Sequence, residues 1–439
     1  MGKCFHFGTF TLYPESGEMF RAKRKLRVGA QEALFLTALA EAGGQFVSRT
    51  EMEARLWPHQ LIGVNCLNVV ASRTRKLLGE NPANPKFIKT VGRRGYCFIH
   101  PIHVSEDQTP ESASAADYHY QLGLHLVEVR TEESLKQSFQ AFRRAIAGMP
   151  NHALAYAGLA DAFIVSAMYG VMHPGECFLR ARSAAARALR IAPELTEAKC
   201  AEAWVKLCLD RDWTGAHEGF GKVVRERPDY PRAWNGLSML MCAIGRGEEA
   251  IEAMRKAWTF DADSPTLSAL SAIVYYRARR FREAAEQARR ALLCDENSAL
   301  ANECLGLSCL QLGEHPRAIE QFQRAYELGK GPVVLGFLGH AYAVSGNRKQ
   351  AQAILEELME RRARDYVLPQ AIALVHAGLQ QREQAFFWLE KSCDEHSHSV
   401  LFLPVEPMLD DLRRDERFTR LLVRVGFPQQ VHTLKLRKR

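Results

Sequence analysis

The chain of 439 residues is longer than one hydrophobic core supports, so two or more domains are expected. With 47% apolar and 25% charged residues it is neither a disordered nor a fibrous chain. It holds no run of ~18 apolar residues, and its start, MGKCFHFG, lacks the apolar segment of a secretory signal. That excludes a helical membrane protein and leads to a cytoplasmic reading.

The net charge of +8 is concentrated at one end. Residues 1–103 hold 15 Lys/Arg against 7 Asp/Glu, whereas the rest of the chain carries 43 of each sign. A basic N-terminal domain joined to a neutral body suits contact with a polyanion. The eleven cysteines form no C-x-x-C pair and read as buried, reduced thiols; no metal or cofactor is expected. His396 and His398, near Cys393 and Asp394, read as a surface turn rather than a metal site.

In chain order, Phe5, Phe7, Phe10 and Leu12 open with strand character, and Pro14 to Gly17 form a turn. Glu18–Ala22 and Lys25–Val28 follow as two more short strands. Leu34, Phe35 and Leu39 suit a core-facing helix from about Ala30 to Ala42, stopped by Gly43 and Gly44. Ser48 to Glu51 reads as a capping box that opens a short helix running to Trp57 and ended by Pro58. Asn65 is the expected N-cap of a third helix, Cys66 to Leu78, closed by Gly79.

The third helix buries Leu67, Ala71, Thr74 and Leu78 at intervals of four, three and four. Its other face shows Asn68, Val69, Ser72, Arg73 and Lys76. Asn and Arg can bond base edges, Val can touch a thymine methyl, and Ser and Lys can hold phosphates. A hairpin from Lys86–Val91 to Tyr96–Ile99 then carries Arg93 and Arg94 at its tip, suited to a minor groove.

Val104 to Ala115 is Ser/Pro/acid-rich and reads as a linker. Beyond it lies a helical repeat. Ala216, Ala250, Ala284 and Ala318 recur every 34 residues, and Ala351 and Ala385 follow at 33 and 34. Phe220, Met254, Ala288 and Phe322 keep the same step, as do Val223, Ala257, Ala291 and Ala325. Trp234, Leu237, Gly306, Gly339 and Tyr342 fill first-helix positions, and Pro150, Pro193 and Pro228 end second helices. About eight units are expected, starting near 116, 153, 197, 231, 265, 299, 332 and 368. Each is a helix hairpin that cannot bury its own face and must stack on the next. Basic pairs such as Arg279–Arg280 read as solvated faces. No P-loop, zinc-protease motif or triad is present, so an enzyme is not expected.

These residues carry a family resemblance. FGTFTL (7–12), GGQFVSR (43–49), ARLWP (54–58), LNVVASRTRKLLG (67–79) and FIKTVGRRGYCF (87–98) resemble the OmpR/PhoB-type winged helix-turn-helix, and the 34-residue units resemble tetratricopeptide repeats. The expected fold class is therefore multidomain, an α+β winged helix over 1–103 and an all-α solenoid over 116–428, with a basic tail at 429–439. The combination resembles HilA-like transcriptional regulators. The resemblance implies that Asn68, Val69, Ser72, Arg73, Arg75 and Lys76 meet DNA from the helix. Thr90, Arg93 and Arg94 would do so from the wing, while the loop from Pro58 to Val64 would face RNA polymerase. It implies double-stranded promoter DNA as ligand, two copies on paired half-sites, and a protein or small-ligand partner for the repeat groove. Phosphorylation is not expected, because no receiver sequence precedes the winged helix. The rival reading is a repeat scaffold with weak or vestigial DNA binding.

Overall fold

The computed structural model describes residues 2–432 apart from 15, 22–23, 27, 58–65, 83, 93, 108–110 and 262–263. Strands β1 (Gly2–Phe7), β2 (Phe10–Tyr13), β3 (Glu18–Arg21) and β4 (Arg24–Leu26) form an antiparallel meander. Helix α1 (Ala30–Glu41) follows, then β5 (Phe46–Ser48), α2 (Arg49–Leu56) and α3 (Cys66–Leu78). Strands β6 (Ile88–Val91) and β7 (Gly95–Phe98) make a hairpin, and β5 pairs along β7 to complete a three-stranded sheet. Alternation explains the meander: Phe5, Phe7, Phe10 and Leu12 face inward, and Phe7 meets Phe98 edge-on at 5.0 Å.

The 104–115 stretch, expected as a linker, differs in the structure. His103–Asp107 is a further strand, β8, that pairs antiparallel with β1 from Gly2↔Asp107 to His6↔His103. Helix α4 (Glu111–Val129) begins soon after it. A segment lying beside the open edge of β1 satisfies its backbone, and composition alone did not reveal that partner. The N-terminal domain is thus tied closely to the body. Gln31, buried in α1, donates to His125 on α4 at 3.0 Å, and Lys25 lies 3.4 Å from Asp117.

The body is a stack of hairpins. Helix α4 pairs with α5 (Glu132–Gly148), α6 (Ala153–Tyr169) with α7 (Pro174–Ile191), and α8 (Thr196–Val205) with α9 (Trp213–Glu226). Helices α10 (Pro231–Ala243) and α11 (Gly247–Phe260) follow, then α12 (Pro265–Arg277) and α13 (Phe281–Cys294). Last come α14 (Ala299–Gln311) and α15 (His315–Gly329), α16 (Pro332–Val344) and α17 (Arg348–Arg362), and α18 (Pro369–Gly378) and α19 (Arg382–Asp394). The repeating small residues let the helices touch: Ala216, Ala250, Ala284, Ala318, Ala351 and Ala385 are all fully buried. Aromatic rings fill what the small residues leave. A Cβ on Gly158 would come within 2.4 Å of the Phe142 ring, so only glycine fits there.

The stack closes on itself. Arg361 on α17 reaches Glu132 on α5 at 2.9 Å, and Leu368 packs against Gly170. The chain then turns inward. Two short 3₁₀ segments, His398–Phe402 and Pro407–Leu412, run along the inner face of the ring, where Tyr276 donates to Glu406 at 2.6 Å. Val400, Leu401, Phe402, Leu403, Val405 and Leu409 are each at most 2% exposed. Burying such side chains is worth ~1.5–3 kcal/mol apiece, so lifting them out would cost about as much as a domain's whole stability. The segment is a permanent wall. Helix α20 (Glu416–Val425) then packs on α19, and Trp213 donates to the Gly426 carbonyl at 2.8 Å. Residues Gln429–His432 form a last short helix, and the remainder of the expected basic tail lies outside the described residues.

Two expectations about the body change. His398 is not at a surface turn: it sits inside the ring, 5.0 Å from the Phe402 ring. Arg279 does not belong to a solvated face, because it is mostly buried and pairs with Asp410 at 2.5 Å. The inward-folded C-terminal segment accounts for both: His398 belongs to it, and it brings Asp410 to Arg279 across 131 residues of sequence.

Candidate nucleic-acid interface

Helix α3 is built to be held from one side. Leu67, Val70, Ala71, Thr74 and Leu78 are buried, and the Thr74 hydroxyl donates to the Val70 carbonyl at 2.8 Å, so its polarity costs little inside. Asn68, Ser72, Arg73 and Lys76 are exposed and Val69 is half-buried. On the hairpin, Lys89, Thr90 and Arg94 are exposed. Among the described residues Arg73, Lys76, Lys89 and Arg94 have no carboxylate partner, which leaves their charge facing solvent. Arg93, Asn65 and the 58–64 loop lie outside the described residues.

Arg75 departs from the expected role. It is 8% exposed, and its Nη2 donates to the Ile88 carbonyl at 3.1 Å and to the Thr90 hydroxyl at 2.7 Å. Its Nε lies 3.6 Å from Glu80, whose carboxylate accepts from the Phe87 and Lys86 amides at 2.7 and 2.9 Å. This guanidinium is therefore a strut between α3 and the hairpin, not a group offered to solvent. The sequence held the clue: Arg75 follows Ala71 by four, which places it on the buried stripe. Glu80 had no such signal, because its partners are backbone amides of a later loop.

The other end of α3 is anchored as well. The Asn68 carbonyl oxygen accepts from Arg49 Nη1 at 2.9 Å and from the Tyr96 hydroxyl at 3.1 Å. Burial raises the Tyr96 pKa, against the opposing charges of Arg49 and Arg75, so its hydroxyl stays protonated and donates. Bidentate reading of an adenine by Asn68 would require that carbonyl to be released. At the start of α2, Ser48 accepts from the Glu51 amide at 3.1 Å, but Glu51 turns to Arg55 at 3.1 Å. Half of the expected capping box forms, since strand β5 already pairs the Ser48 backbone with Gly95. Gly95 itself is dictated by that pairing: a Cβ there would lie 2.1 Å from the Val47 carbonyl oxygen.

Among the described residues, the body reaches this surface beside the start of α3. Cys66, in the first turn of α3, lies 3.8 Å from Asp295 in the α13–α14 turn. A carboxylate is therefore parked beside the N-terminal end of the helix.

A helix held from behind, stapled at both ends to a β-hairpin and fringed with unpaired cations, defines a winged-helix nucleic-acid-binding domain joined to a repeat solenoid. Comparison with known proteins matches a family model in each part. Residues 23–98 match the family "Transcriptional regulatory protein, C terminal" and residues 270–332 match "Tetratricopeptide repeat". The chain carries an OmpR/PhoB-type domain at its N-terminus, followed by tetratricopeptide repeats. The cholera toxin transcriptional activator of Vibrio cholerae is 28% identical over 123 residues, 25% of this chain and 42% of that protein. The transcriptional regulatory protein RstA of Escherichia coli is 33% identical over 97 residues, covering 22% and 41%. The transcriptional regulator HilA of Salmonella typhimurium is 27% identical over 109 residues, covering 25% and 19%. The chain thus spans less than half the length of these relatives. Among the described residues no helix is long and apolar enough to cross a membrane.

Proposed function

We propose that the protein is a transcriptional regulator that reads promoter DNA through α3 and the β6–β7 hairpin, in the manner of HilA-like proteins. The observation that carries this reading is the double staple, Asn68 to Tyr96 at one end and Arg75 to Thr90 at the other. It makes helix and hairpin one rigid unit, which is what simultaneous contact with two grooves of a duplex requires. Val69, Ser72 and Arg73 would face base edges and phosphates in the major groove. Lys76 and Thr90 would hold backbone phosphates, and Arg93 and Arg94 would enter or flank the minor groove. The 58–64 loop is proposed to face RNA polymerase, and two copies to occupy paired half-sites. The repeats would supply signal input.

Footprinting of the full-length protein on its own upstream region tests this. A protected site that is lost in Arg73→Ala is expected. Binding indifferent both to sequence and to that substitution would refute specific reading and favour a repeat scaffold.

A further inference from the structure

The N-terminal domain and the body meet along a joint that is fastened unequally. One end is sewn into the backbone: β8 pairs with β1 from Gly2↔Asp107 to His6↔His103, and α4 begins shortly after it. Side chains add to that end. Gln31 of α1 donates to the Leu56 carbonyl at 3.3 Å and to His125 of α4 at 3.0 Å. Asp117 of α4 lies 3.4 Å from Lys25 and 3.1 Å from His152. At the other end the α13–α14 turn comes up against the start of α3, where Cys66 Sγ lies 3.8 Å from Asp295 Oδ1. The same carboxylate oxygen accepts from the Asn297 amide at 3.1 Å, so the turn itself holds the group in place. Burial raises the Asp295 carboxyl, as it does for a group pressed against a neighbouring domain.

The place of this contact on α3 decides its meaning. Cys66 and Arg73 stand seven residues, or two helical turns, apart and lie along one flank of the helix, with Val69 beside them. That flank borders the exposed face of Asn68, Ser72, Arg73 and Lys76. A helix with its side chains is ~10–12 Å across and a major groove is ~12 Å wide, so a helix seated in the groove has a phosphate strand along each flank. The turn that carries Asp295 and the exposed Glu296 therefore stands where one strand of a bound duplex would run. Its charge is also the one that a phosphate repels.

We propose that the α13–α14 turn is a gate on α3. With the turn seated on Cys66 the protein is closed to DNA, and binding requires the body to withdraw from α3 while the β8–α4 end of the joint stays fastened. The unequal fastening supports this division: a strand pairing and the buried Gln31 hold one end, and a long thiol–carboxylate approach lies at the other. The gate rests on the reading of α3 as the helix that meets DNA, and it names the contact that regulates that helix. It also gives a signal received by the repeats a route to the DNA, because whatever draws the turn away from α3 favours the open form.

The test locks the gate in the full-length protein. Asp295→Cys, made together with Cys294→Ser, sets a second thiol opposite Cys66. Diamide takes two protons and two electrons from the pair, joining the two sulfurs and being reduced to its hydrazine, and peptide mass identifies the link between Cys66 and position 295. The probe is duplex DNA from the protein's own upstream region. The reduced variant should bind it at least as well as wild type. The linked form should bind about tenfold or more weakly at low and high salt alike, with affinity restored by dithiothreitol. The same treatment should leave a variant that also carries Cys66→Ser unchanged. Asp295→Asn, which weakens the seat without a lock, should move affinity the other way. Linked and reduced forms that bind equally, no link under diamide, or no rise in Asp295→Asn at low salt each overturn the gate. No binding by wild type and by the reduced variant is a different result: it refutes the reading of α3 itself, and the gate falls with it.

Discussion

Replacing Arg75 with alanine separates a strut from a DNA contact. The side chain makes two short hydrogen bonds, to the Ile88 carbonyl and the Thr90 hydroxyl, and faces a Glu80 carboxylate that is fully buried. Charge-assisted bonds of this kind are worth ~1.5–3 kcal/mol net, and the loss would strand a buried carboxylate. Glu80 keeps its backbone amide donors in the variant, which caps the penalty, so a loss of about 2–3 kcal/mol is expected. Hydrogen exchange of the full-length protein localises it: amides 88–91 and 95–98 should exchange about 30- to 150-fold faster, while the repeats are unchanged. DNA affinity should fall because the hairpin is no longer held to the helix, yet the slope of log affinity against log salt should stay the same. A phosphate contact behaves in the opposite way, leaving stability intact and flattening the slope by about one. Unchanged exchange together with a flattened slope would refute the strut.

Lys76→Ala, whose side chain is exposed and unpaired, should weaken binding to all sequences and flatten the salt slope by about one without altering the melting point. Gly95→Ala forces a Cβ against the Val47 carbonyl and should unzip β5 from β7, seen as lost amide protection at residues 46–48 and lost DNA binding. Phe322→Ala, which empties a fully buried ring site, should destabilise the repeats by ~3–5 kcal/mol in urea titrations. Asp295→Asn removes a carboxylate beside the start of α3 and should strengthen DNA binding about twofold to fivefold at low salt, with the gain vanishing at high salt.

What the sequence made legible follows from which forces are local. The 34-residue step of Ala216, Ala250, Ala284 and Ala318 announces stacked hairpins, because close helix approach needs a small residue at the same place in every unit. The buried stripe of α3 was equally readable, since Leu67, Ala71, Thr74 and Leu78 follow the helical period. Illegible were the features that depend on chain returning from afar. Strand β8 needed the open edge of β1, roughly a hundred residues upstream, to give it a role. Arg75 sat on the right stripe to be buried, but its partners on β6 and at Glu80 exist only once the hairpin folds back. The same physics explains the interior of the ring. Arg277 and Glu303 look like ordinary solvated residues in a helical repeat until ring closure and the 398–412 wall take bulk water away from them. Periodicity therefore locates the surfaces that neighbours in sequence bury, whereas the burial and pairing of charges such as Arg75 and Arg279 is settled where distant segments meet.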